Sequence, residues 1–210
     1  MRHTKVVVAW SFVLIVAMML LGCGSSNSIS AEQAQAISHQ MLSSVAAAMQ
    51  ASFGAAAALP ATERPRLSSA VTKIRPDQLP SCTPGQSCTV PVSFSGPCAS
   101  GGTITVSGNF DFTLNSSGDG SASSSLTITP KNCSVDNLTI NGDPNVTAST
   151  QINFQNNAVA FPITFTEGGG ISYGPHPSGS CALNVNVNIK STTNCSVTGS
   201  VCGRSVSGNC

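Results

Sequence analysis

From Thr89 onward the chain alternates between apolar and polar residues. Ile104, Val106, Phe110, Phe112 and Leu114 interleave with Thr105, Ser107, Asn109, Asp111 and Thr113. Val146, Ala148, Ile152 and Phe154 repeat the pattern, as do Val159, Phe161, Ile163 and Phe165, and then Leu183, Val185, Val187 and Ile189. Successive side chains of a strand point to opposite faces, so each run reads as a strand with one buried and one wet face. That habit belongs to antiparallel sheets. Gly118-Asp119-Gly120, Asn141-Gly142-Asp143-Pro144, Asn156-Asn157 and a long Gly168 to Gly179 loop supply the turns. Seven to nine strands are expected over residues 81–210, with Pro162 marking an edge or a bulge.

Ahead of the sheet the period changes. Ile37, Met41, Val45, Ala48, Met49 and Phe53 recur at three- and four-residue steps, the signature of one helical face. Ser30 is a good N-cap and Gln33 stands three residues on, the spacing of a capping box. Ala-rich filling carries the helix over residues 31–58, and Pro60 stops it. His39 falls off the apolar stripe and is expected in solvent. Residues 59–80 hold four prolines and the charged residues Glu63, Arg64, Arg66, Lys73, Arg75 and Asp77. They read as a solvated linker with a helical turn or two near Leu67 to Ile74. The fold class is therefore mainly β with α+β character: an N-terminal amphipathic helix, then an antiparallel β domain. A one-sided sheet must cover its apolar face, either as a sandwich or as a half-barrel curled around the helix.

The first residues have a different texture. Arg2, His3 and Lys5 precede an apolar run from Val6 to Leu21, about 16 residues long. A transmembrane helix needs about 20. The run closes on Leu20-Leu21-Gly22-Cys23, which resembles the lipobox of bacterial lipoprotein signal peptides. The resemblance covers only this segment. It implies removal of residues 1–22, diacylglycerol on the Cys23 thiol and acylation of the new amino group. Residues 23–30 would then be a small polar tether to membrane lipid. Gly24 stands where an Asp would favour inner-membrane retention in enteric bacteria, which points to the outer membrane. Cys98, Cys133 and Cys195 are each followed by a strand-like run and a Gly, a loose likeness to Cys- and Gly-punctuated β-rich bacterial lipoproteins. A half-barrel with a helix lid resembles the periplasmic lipid-carrier lipoproteins in shape alone.

Setting Cys23 aside turns nine cysteines into eight: Cys82, Cys88, Cys98, Cys133, Cys181, Cys195, Cys202 and Cys210. An even set in an exported chain reads as a disulfide framework. The pairing stays open, although Cys82 with Cys88 and one pair among Cys195, Cys202 and Cys210 would be local closures. Zinc-ligand spacing is absent and only His39 and His176 remain after processing. The processed chain carries seven Lys and Arg against eight Asp and Glu, which leaves no basic patch for nucleic acid. No cofactor is implied.

Catalytic patterns are missing: no Gly-x-Ser-x-Gly elbow, no Ser-x-x-Lys and no His-Glu-x-x-His. A Glu167–His176 acid/base pair in the Gly-rich loop is the one arrangement a hydrolase could use. Asn115, Ser117, Asp119 and Gly120 look like the start of a calcium loop, but its twelfth position is Leu126, so a hairpin turn is the better account. Trp10 lies in the leader and Tyr173 is the sole tyrosine, which disfavours sugar stacking. The sequence thus leads to a non-enzymatic, lipid-anchored envelope protein with a structural or binding role. Three alternatives stand beside it: a carrier of a hydrophobic ligand, a hydrolase using the Glu167–Gly179 loop, and a surface adhesin.

Overall fold

A computed structural model describes residues 28–53, 66–75, 79, 82–83, 85–142 and 145–210. The lipobox, Cys23, residues 54–58 of the expected helix and Asp143-Pro144 lie outside the described residues. The first element is helix α1, Ala31–Phe53. Its start follows from the sequence: the Gln33 amide donates to Ser30 Oγ at 3.1 Å and the Ser30 amide donates to Gln33 Oε1 at 2.9 Å, the reciprocal bonds of a capping box. Ile37, Met41, Val45, Ala48 and Met49 are fully buried, Phe53 is half-buried, and His39 is exposed. Burying each larger apolar chain contributes about 1.5–3 kcal/mol.

A short helix, α2 (Leu67–Val71), packs against α1. Leu67, Ala70, Val71, Ile74 and Leu79 are all buried. The described part of the expected linker is therefore not a solvated connector. Its apolar residues fall at helical steps and close over α1, while the charges of Arg66, Lys73 and Arg75 stay outward along the same stretch.

Among the described residues, ten strands form one sheet that does not close on itself. They are β1 (Ser87–Pro97), β2 (Thr103–Leu114), β3 (Gly120–Lys131), β4 (Cys133–Val135), β5 (Leu138–Asn141), β6 (Val146–Gln155), β7 (Ala158–Gly174), β8 (Gly179–Ile189), β9 (Cys195–Val201) and β10 (Arg204–Asn209). The order across the sheet is β1-β2-β3-β6-β7-β8-β9-β10, all antiparallel, with the β4–β5 hairpin attached to β7. The alternation seen in the sequence is realised strand by strand, as in β6, whose residues are buried and exposed in strict turn. Pro162 sits in a bulge, where Gln151 and Asn153 of β6 oppose Thr164 and Ala160 of β7.

The question of sandwich or half-barrel resolves to the second. One helix, α1, packs against β1 and β2 at one edge and against β9 and β10 at the other, so the sheet curls until its two edges flank the same helix. Helix side chains also bond to both sides of that seam. Gln40 Oε1 accepts from the Ala99 amide just after β1 (3.2 Å), and Gln35 Oε1 accepts from the Ser207 amide of β10 (3.3 Å). Unpaired sheet edges invite pairing with other chains; here the helix occupies the gap between them. Curling is helped by Gly108 of β2 and Gly199 of β9, at φ +148° and +153°, where any Cβ would strike the backbone of the neighbouring strand.

All eight expected cysteines pair: Cys82–Cys88, Cys98–Cys133, Cys181–Cys202 and Cys195–Cys210. The two local closures are present, the second as Cys195–Cys210. The other two bridges fasten β4 to the end of β1, and β8 to the turn before β10. Native bridges of this kind each contribute about 2–4 kcal/mol.

Candidate functional site

The Gly-rich stretch after Glu167 is not a loop. β7 runs unbroken to Gly174, β8 starts at Gly179, and only Pro175 to Ser178 turn between them. Glu167 pairs with Val185 while Tyr173 pairs with Gly179, so Glu167 stands six strand positions from that turn, about 20 Å. Glu167 is buried and His176 is exposed in the turn. The acid/base pair that a hydrolase would need is not brought together.

Glu167 is instead the most unusual residue of the interior. β6 and β7 are the middle strands of the sheet, opposite the seam that α1 fills. Val92, Gly108, Leu126, Ala148, Glu167, Val185, Gly199 and Val206 oppose one another in register across all eight strands. Glu167 is the only ionisable member of this inward row. It is 1% exposed, and neither carboxyl oxygen has a hydrogen-bond partner among the described residues. Burial in these apolar surroundings pushes its pKa up from 4.5 to about 8, so at neutral pH the group is an uncharged acid. Ser38 of α1 and Ser124 of β3 also bury hydroxyls without partners among the described residues. Thr150, between Ser124 and Phe165 in the adjoining row, donates to the Thr164 carbonyl oxygen at 2.7 Å.

The outward face has the opposite character. Pro91, Asn109, Ser125, Ser149, Thr166, Asn186, Thr198 and Ser207 form one register row. The next is Thr89, Asp111, Ser123, Gln151, Thr164, Asn188, Ser196 and Asn209. The single charge in these rows, Asp111, is exposed as expected and accepts from Thr89 Oγ1 at 2.7 Å. This is a broad hydroxyl and amide surface, hydrogen-bonded across strands, as in the 2.8 Å contact of Ser149 with Thr166.

The stretch that looked like a calcium loop is the β2–β3 turn. Asn115 Oδ1 already accepts from the Ser117 amide, Ser117 Oγ and the Asp119 amide, at 2.7–3.0 Å. Asp119 Oδ1 accepts from the Asn156 amide at 2.6 Å, tying this turn to the β6–β7 turn. No group of three or more His, Cys, Asp or Glu that could hold a metal ion occurs among the described residues. No described helix is long and apolar enough to cross a membrane, which says nothing of strands.

Comparison of the chain with protein-family models, with curated proteins and with solved structures gives no match. The inward Glu167 was readable in advance by parity. It lies two and four residues beyond Phe165 and Ile163, the buried members of its own alternation.

Proposed function

We propose that the chain is a lipid-anchored protein of a bacterial cell envelope, held at the outer membrane through Cys23, with a structural or binding role and no catalytic chemistry. The observation that carries this reading is the cysteine pairing. Eight of nine cysteines are spent in four bridges, and the one left over is the cysteine of the lipobox. Bridges in such number belong to an oxidising compartment. The helix-filled seam and the outer rows of hydroxyls and amides, with Asp111 as their single charge, suit a rigid module that meets other envelope components through its surface. Cys23→Ser tests the anchor: acylation and membrane partitioning should be lost, and a variant that still fractionates as a processed lipoprotein refutes it.

A second reading, a carrier of a hydrophobic ligand, is favoured by the unpartnered Glu167, Ser38 and Ser124 side chains inside the curl. Polar groups in such surroundings are ordinarily satisfied, and a mostly apolar ligand with one polar head would supply Glu167 with a partner. Solvent extraction and mass spectrometry of the purified protein test it. A stoichiometric lipid-like molecule that is lost in Glu167→Leu supports the carrier; a ligand-free protein, or one whose ligand is indifferent to that change, defeats it.

A further inference from the structure

If Cys23 carries lipid, the reading on which this inference rests, the described residues decide which end of the domain meets the membrane. The chain is fixed to the domain from Ser28 onward. Ile29 is fully buried. Arg204, the first residue of β10, donates from Nε to the Ile29 carbonyl oxygen and from Nη2 to Ser28 Oγ, both at 3.0 Å. Ser30 and Gln33 then cap α1, and Gln33 Nε2 donates to the Asp136 carbonyl oxygen in the β4–β5 turn at 3.3 Å. Between Cys23 and Ser28 stand only Gly24, Ser25, Ser26 and Asn27. Five Cα steps reach at most about 18 Å.

That tether is short against the domain. α1 alone, at 23 residues, is about 34 Å long. Its N-terminus lies at the end bearing the Asp136–Asn137 and Cys202–Gly203 turns, and the strand directions put the Pro175–Ser178 turn at the same end. Its C-terminus lies at the other, where Phe53 stands edge-on to Phe110, with ring centres 4.9 Å apart. The turns at Ser116–Gly118, Asn156–Asn157 and Ser191–Thr193 share that far end.

We propose that the end formed by the Asp136–Asn137, Pro175–Ser178 and Cys202–Gly203 turns rests on the lipid surface, and that the Ser116–Gly118, Asn156–Asn157 and Ser191–Thr193 turns project away from it. The strand lengths and the usual tilt of a curled sheet put about 30 Å between the two ends. Asp136 and Arg204 carry opposite signs at the near end, so the tether imposes this orientation and anionic lipid is not required for it.

The only tryptophan, Trp10, precedes Cys23, so the processed chain is silent and a single introduced tryptophan reports position. Ser178→Trp and Thr192→Trp, both at exposed turn positions, would be made in the acylated full chain. Each is reconstituted into phosphatidylcholine vesicles containing brominated lipid. Quenching should be at least twofold stronger for Ser178→Trp. His176→Trp and Ser116→Trp form a second near and far pair should the first misfold. Equal quenching at the two ends, or stronger quenching at the far end, overturns the orientation. Vesicle flotation is read first: an unaltered chain that does not float defeats the anchor and the orientation with it, whereas a floating chain with equal quenching defeats the orientation alone.

Discussion

Glu167→Gln removes an ionisable group from the middle of the core while keeping its size. In the folded chain burial holds this carboxyl at about 8, against an ordinary 4.5. Between those values the unfolded chain has released its proton and the folded chain retains it. Folding then takes up a proton, so stability falls as pH rises, by at most about 1.4 kcal/mol per pH unit. The contribution is greatest below pH 4.5, is lost through the window, and levels off above about 8. From pH 5 to pH 8 the fall amounts to a few kcal/mol. Against a total of about 5–15 kcal/mol for an ordinary domain, that is readily measured. Guanidinium unfolding with the bridges intact, at pH 5, 6, 7 and 8, should give a falling midpoint for the native chain and a nearly level one for Glu167→Gln. The two should agree within about 1 kcal/mol at pH 5, since both leave a buried polar group without a partner. Parallel pH profiles, or a native chain that gains stability across the window, would show that Glu167 ionises normally in the folded state and would refute the reasoning.

Three further outcomes are expected. Met41→Ala, at a fully buried position of α1, should cost about 2–5 kcal/mol in thermal or denaturant unfolding; a change under about 0.5 kcal/mol would mean that the helix is not held within the curl. Gly199→Ala places a methyl group against the Asn184 carbonyl oxygen at a φ that side chains rarely adopt, and should destabilise by about 3 kcal/mol or more; an unchanged midpoint would contradict the backbone described for β9. Non-reducing peptide mapping should return Cys195 with Cys210 and Cys181 with Cys202, and a Cys195–Cys202 peptide would contradict the topology of the last three strands.

Much of the fold was legible because strand alternation and helix periodicity are local signals. The Ser30–Gln33 box could be read outright, since both of its bonds lie within four residues. What stayed hidden depends on partners distant in sequence. Nothing near Gln35 or Gln40 announces that they meet Ser207 and Ala99. The helical turn expected near Leu67 to Ile74 is present as α2, but the charges and flanking prolines around it hid its burial, although Leu67, Ala70, Val71 and Ile74 already sit at helical spacing. Gly168-Gly169-Gly170 read as a loop because glycine runs usually mark one. Here Gly169, at φ +145°, lets β7 pass close to the Asn145 backbone and continue as a strand. That misreading also hid Glu167, since a residue assigned to a loop is not tested for which face of a sheet it occupies.

The seam between β1 and β10 also sets a schedule. α1 is among the first parts of the chain to be made, and the residue that clamps its leading end, Arg204, lies 175 positions later. Until that late segment has been delivered, the helix has half its lining, the β1 edge has no cover on its far side, and the inward rows have no wall facing them. Contacts of such wide separation are slow to form, and unfinished sheets are the species that aggregate. A chain of this design therefore stays unsealed through nearly the whole of its synthesis, and its yield in the cell is governed by how it is shielded during that time as much as by the stability of the finished molecule.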